Sequence, residues 1–257
     1  MKNYITGMML ACQFFTSLPI HRQYEMNQKT VTAMYTALPI ISLLMGGILS
    51  FIIFLNEQFF QFSTILLAVI LVVASIIMTG GLHLDGWIDM GDAYFSYQDQ
   101  KRRLEILEDS RVGAFGAISL VVLVILKIAF IYEVLQKSNG YNVIYFIAIP
   151  FLSRLALLLY FLTTKNVKEK GLAAYFKGQV NSRKVWQFLI FYTLIFLAIT
   201  YCIGNFHLFI LIVFMILFVN LFKGWSIKNF GGMTGDLLGA LYEGTELALW
   251  GILLLFI

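Results

Sequence analysis

Residues 62–92 read FSTILLAVILVVASIIMTGGLHLDGWIDMGD, a long apolar run that passes through two glycines and ends among three aspartates. A bilayer core of about 30 Å needs about 20 apolar residues in a helix. The run from 62 to 82 meets that length, so the stretch reads as a membrane span that delivers acidic residues to one face of the bilayer. Asp85, Asp89 and Asp92 follow at i, i+4 and i+7. On a helix they share an arc of about 60°. Like charges on one face repel unless a cation neutralises them.

Working outward, the rest of the chain has the same character. It is 60% hydrophobic and 12% charged over 257 residues, with a mean hydropathy of +0.84. Soluble domains are nearer one-quarter charged. Apolar stretches fall at 33–55, 62–82, 112–135, 141–162, 186–204, 207–222 and 237–257. The expectation is an all-α, polytopic transmembrane helical bundle of about seven spans, forming a single domain over 1–257. The sixth span is short. Residues 5–20 are expected to form an interfacial or re-entrant helix, because Gln13, Thr16, Ser17 and Pro19 interrupt them. They lack the cleavage site of a signal peptide.

Charge sets the expected orientation. With the N-terminus in the cytoplasm, 15 of the 18 Lys and Arg fall in inside segments, Lys168 and Lys170 among them. Lys137 alone falls outside, and Lys127 and Arg154 lie within spans. A net charge of +4 spread over short loops reads as topology, not as nucleic-acid binding. Cys12 and Cys202 sit in apolar sequence, which excludes a disulfide framework and a cysteine-rich metal site. The acids gather on the inner side too. Carboxylates contribute little to topology, so a metal or phosphate site is the expected cause.

Two further motifs lie on that side. EDSRVGAFGAIS (108–119) joins Asp109 and Ser110, both good helix caps, to Arg111, whose planar fork suits phosphate. GGMTGDLLGALYEGTE (231–246) surrounds Thr234 and Asp236 with glycine and carries Glu243 and Glu246 into the last span. An acid within a span is costly and faces a partner or a polar cavity. Arg154 is the expected partner or a substrate contact, and Lys127 a weaker one. The bland alternatives are a solvated acidic loop, a capped helix and a structural ion pair. Seven carboxylates at one face instead suit phosphoryl or nucleotidyl transfer.

The order and spacing of these motifs resemble the cobalamin synthase family, the adenosylcobinamide-GDP ribazoletransferases. Its first signature is met by Gly80, Gly81, His83, Asp85, Gly86, Asp89 and Asp92. Its second is met by Asp109, Ser110, Arg111, Gly113, Phe115 and Gly116. Its third is met by Gly231, Gly232, Thr234, Gly235, Asp236, Gly239, Ala240, Glu243 and Glu246. Gln13 to Ile20 and Arg154 also fit, so the resemblance runs nearly the whole chain. One departure is Tyr94 and Phe95 after the third Asp, where the family usually has a small residue.

The resemblance implies an enzyme of vitamin B12 assembly in the bacterial cytoplasmic membrane, multi-pass, with its active-site loops in the cytoplasm. Its substrates are adenosylcobinamide-GDP and α-ribazole or its 5′-phosphate. The ribazole 5′-hydroxyl is expected to attack phosphorus and release GMP, with Mg²⁺ as cofactor. Asp85, Asp89, Asp92 and Asp236 are the expected metal ligands. Arg111, Arg154, Ser110 and Thr234 are expected on phosphate or substrate. The expected acid–base set is Asp89, His83 or Glu243, with Arg111 on the reacting phosphoryl group. Packing glycines allow a homo-oligomer. The alternatives weighed are a CDP-alcohol-type phosphotransferase, whose Ala-Arg pair after Gly86 is absent here, and a cation or corrinoid transporter.

Overall fold

The computed structural model describes residues 2–137, 142–167 and 171–257. Lys168 and Lys170, used above for orientation, and Tyr141, the start of the fourth expected span, lie outside the described residues. The described chain is helical: α1 (Lys2–Phe15), α2 (Gln28–Leu55), α3 (Thr64–Thr79), α4 (Leu82–Phe95), α5 (Gln100–Ile106), α6 (Ala114–Lys137), α7 (Asn142–Thr163), α8 (Leu172–Gln179), α9 (Ser182–Ile203), α10 (Phe206–Phe230) and α11 (Gly235–Leu253). A single π-helical turn, Asn56–Phe60, extends α2. The only extended pairing among the described residues is one isolated bridge, Asn166 to Met233.

Local chemistry sets the helix ends. Asn27 opens α2 with a reciprocal capping box to Thr30. Asn181 and Asn205 cap α9 and α10, and Gly204 closes α9 in the left-handed conformation. Thr234 caps α11 through the Leu237 amide.

Among the described residues, five helices are long and apolar enough to cross a bilayer, and six do so if the bent α3–α4 pair counts as one span. Seven were expected from sequence. Two physical facts account for the difference. The last expected span is α11, which carries Asp236, Glu243 and Glu246. The second ends early: α3 has 16 residues and so runs only about 24 Å. The sixth is longer than expected, 25 residues in α10.

The break after α3 positions the site. Gly80 and Gly81 both take positive φ, 65° and 75°, a conformation that glycine adopts without strain. The chain turns by 95° there, and α4 runs off across the bundle. The loop after α1 secures the break, because the Ser17 amide donates to the Met78 carbonyl at 2.9 Å. The residues expected as an interfacial or re-entrant helix are α1 and an extended return to α2. Phe15, at the end of α1, lies against His83 and Arg154 in the interior. The core lies chiefly along α2 and α7, and α4 packs mainly on α11 and α6.

Candidate active site

The three motifs meet because their glycines let helices touch. A Cβ at Gly86 would run into the Asp236 backbone. This brings α4 against the first turn of α11 and sets Asp85 and Asp236 on one cavity. That cavity has a volume of about 320 Å³. Its polar side is formed by His83, Asp85, Thr234, Asp236 and Asn166. Its other side is aromatic, with Phe14, Phe15, Tyr35 and Phe176. Helix α8 supplies Phe176 and is tied to the end of α7, where the Lys177 ammonium donates to the Phe161 and Thr164 carbonyls. A cation at a helix C-terminus is well placed against the last carbonyls.

The three aspartates of α4 have different surroundings. Asp85 is exposed on the cavity, and Asp89 is half-buried and partnered. Asp92 accepts the Gly113 amide at 2.7 Å and the Gly116 amide at 2.8 Å. It therefore caps α6 from a neighbouring helix, and Gly113 and Gly116 are the residues whose missing side chains make room for it. Sequence reading placed Asp92 in a metal row and did not foresee this role. Asp92→Ala is expected to lower stability by about 1–2 kcal/mol, the usual worth of an N-cap. Thermal melting in detergent would measure it, and an unchanged melting temperature would refute the cap.

Among the described residues, no three His, Cys, Asp or Glu side chains converge on one point. Asp85 and Asp236, with the Thr234 hydroxyl, still provide hard oxygen donors at one cavity. Mg²⁺ commonly takes one or two carboxylates and completes its shell with water and substrate phosphate. The donor chemistry fits that ion.

Behind the cavity lies a buried layer of charge. Arg154 is 0% exposed. Its Nη1 donates to His83 Nε2 at 2.7 Å and its Nε to Ser42 Oγ at 3.2 Å. Its guanidinium also stacks over the Tyr242 ring, 4.4 Å from the centroid. The partner of Glu243 is not Arg154 but Lys127, which sequence reading ranked lower. Lys127 Nζ donates to Glu243 at 2.5 Å and to Glu246 at 2.7 Å. Tyr242 donates to the other Glu246 oxygen at 2.7 Å. Two cations thus face two carboxylates in one layer.

The structure gathers His83, Asp85, Asp236 and Thr234 around the cavity, and Thr234 donates to Asp236 at 3.3 Å. It does not bring Asp89, Asp92, Ser110, Arg111, Arg154 or Glu243 to the cavity wall. Ser110 and Arg111 are exposed before α6. Arg111 grips Asp109 at 2.6 Å. Hydrogen bonds from Arg111 hold the Asp109 carboxyl down to about 2, and Asp109 raises the guanidinium in turn. Sequence reading missed Tyr35, Phe14 and Phe176, since one more aromatic in an apolar run carries no mark of a cavity. Of the two rings that depart from the family pattern, Tyr94 packs on Trp225 and under Arg103, with Phe95 against it.

The fold and site together define a polytopic helical membrane protein with a carboxylate-bearing cavity at one end. The chain belongs to the cobalamin-5-phosphate synthase family, whose model matches residues 7–254. The resemblance drawn from the three motifs is borne out. Relatives named adenosylcobinamide-GDP ribazoletransferase include one from Geobacillus sp. (strain WCH70), 35% identical over 254 residues, covering 97% of this chain and 95% of the relative. A second, from Geobacillus thermodenitrificans (strain NG80-2), is 37% identical and covers 98% and 96%. A third, from Clostridium botulinum (strain Loch Maree / Type A3), is 31% identical and covers 99% and 100%. No solved structure matches the chain.

Proposed function

We propose that this protein joins adenosylcobinamide-GDP to α-ribazole or its 5′-phosphate, releasing GMP, at the cytoplasmic face of the bacterial plasma membrane. The observation that carries this reading is the family match over 7–254. The cavity lined by Asp85 and Asp236 supports it. The Lys and Arg asymmetry supports the orientation.

The balance of the step is simple. A ribazole hydroxyl attacks the phosphorus on the corrinoid side, a new P–O bond forms, and the bond to GMP breaks. One proton leaves the hydroxyl. The attacking oxygen differs from the 5′ one expected from the sequence. A family named for a 5-phosphate product keeps that position esterified, so a ribose ring hydroxyl is the nucleophile.

Asp85, Asp89 and Asp236 are the residues we assign to Mg²⁺, which when bound would neutralise charge on the diphosphate. Arg111 and Ser110, exposed before α6, are assigned to phosphate. Arg154 works from behind. A guanidinium can only donate, so His83 Nε2 is an acceptor and Nδ1 carries the hydrogen. A neutral imidazole so engaged has no lone pair left for a substrate proton. His83 is therefore a hydrogen-bond donor, and the base is a carboxylate.

The test is product analysis. Purified protein mixed with Mg²⁺, the GDP-activated corrinoid and α-ribazole should yield GMP and the joined cobalamin in equal amounts, and chelation of Mg²⁺ should stop both. GMP released equally well without ribazole, or corrinoid flux across proteoliposomes without turnover, would overturn the reading.

A further inference from the structure

We propose that the aromatic side of the cavity seats the flat base of ribazole, and that the Tyr35 hydroxyl donates to its free ring nitrogen. This assignment rests on the transfer reaction proposed above and says which of the two substrates enters the cavity.

Size is the first argument. A cavity of about 320 Å³ lies at the low end of the roughly 300–1,000 Å³ of small-molecule sites. One nucleoside fits it. A corrin ring carrying a nucleotide arm does not, so the corrinoid must approach from the open end and present only its diphosphate.

The second argument is shape and polarity. Tyr35 is held on three sides: stacked on Phe161 at 4.3 Å, and edge-on to Phe176 at 6.0 Å and to Phe15 at 6.4 Å. Phe14 packs edge-on to Phe176 at 5.4 Å. Phe14, Phe15, Tyr35 and Phe176 on the cavity lining offer a planar aromatic ligand ring faces and edges to pack against. Guanine, the base of the other substrate, has a polar edge of several donors and acceptors, which this wall would leave unpaired at a cost. Ribazole carries a benzimidazole. One of its nitrogens is bonded to the sugar, and the other offers a lone pair and no N–H.

The third argument is a missing partner. Tyr35 is 2% exposed and lines the cavity. Buried tyrosine hydroxyls usually find a hydrogen-bond partner. Among the described residues the Tyr35 hydroxyl makes no hydrogen bond, and it is not one of the fully enclosed unpartnered atoms, so its open surface is the cavity. A ligand that accepts one hydrogen bond at its aromatic end and meets carboxylates at its ribose end matches the groups the cavity offers.

The experiment measures GMP release with two ribosides, α-ribazole and an indole riboside in which the free ring nitrogen is replaced by CH. Losing one neutral hydrogen bond should raise KM about three- to tenfold. Tyr35→Phe is expected to raise the ribazole KM by that factor, with kcat and the corrinoid KM unchanged. Wild type should disfavour the indole riboside by a similar factor, and Tyr35→Phe should not distinguish the two. The wild-type comparison stands even if the variant fails to fold. Equal use of both ribosides by wild type, or an unchanged ribazole KM in folded Tyr35→Phe, overturns the proposal. Absence of GMP release by wild type with any riboside instead sinks the transfer reading beneath it.

Discussion

Asp85→Asn is expected to slow GMP release by about 10²–10³-fold, the scale on which single preorganised electrostatic groups contribute to such reactions. Asparagine keeps the shape of the side chain and removes only its charge. Asp85 is exposed on the cavity that Asp236 also lines, so its loss leaves one aspartate where there were two. The same variant should require more Mg²⁺ for half-maximal rate, since the ion keeps one protein carboxylate fewer. Folding should be unaffected, because among the described residues the Asp85 side chain makes no hydrogen bond, and its amide bond to the Gly81 carbonyl is kept. A folded Asp85→Asn enzyme with near-wild-type rate and an unchanged Mg²⁺ dependence would remove Asp85 from the chemistry and with it the metal assignment.

Lys127→Met is expected to destabilise the folded protein by about 3–5 kcal/mol, the usual penalty for stripping one partner from a buried ion pair. The reason is arithmetic of charge. Lys127 serves both Glu243 and Glu246, and all three are buried. Without it, two carboxylates remain in the apolar interior with Arg154 as the one cation left in their layer. Glu243→Gln should be milder, because Lys127 keeps Glu246. The double change Lys127→Met, Glu243→Gln should recover much of the loss, since it leaves Glu246 facing Arg154 with no net charge in the layer. Melting temperatures in detergent for these three variants decide the matter. A Lys127→Met protein as stable as wild type would mean that the network holds nothing together.

Fold class was legible in the sequence because lipid imposes a simple rule: long apolar stretches must be helices that satisfy their own backbone. Where the rule is strained, legibility falls. The span at 62–82 reads as continuous, yet Gly80 and Gly81 stop it inside the bundle. Hydropathy cannot sense the sign of φ. At the site, sequence spacing found the helix face of Asp85, Asp89 and Asp92. It could not tell a cavity ligand from a cap, because Asp92 owes its role to amides 21 and 24 residues away. The same limit hid Lys127, whose partners are 116 and 119 residues distant. Arg154 was the more conspicuous cation, and the structure gives it to His83.

The break at Gly80 also bears on how the enzyme comes into being. Its anchor, Ser17, leaves the ribosome well before the helix it secures, so α3 and α4 meet a ready-made hold as they emerge. The opposite wall is α11, which is synthesised after every other element of the site. Until it docks, Gly86 has no surface to close on and Asp85 has no counterpart. A nascent or truncated chain therefore has no competent site, and the reactive diphosphate of an activated intermediate meets catalytic groups only in a protein whose assembly is complete.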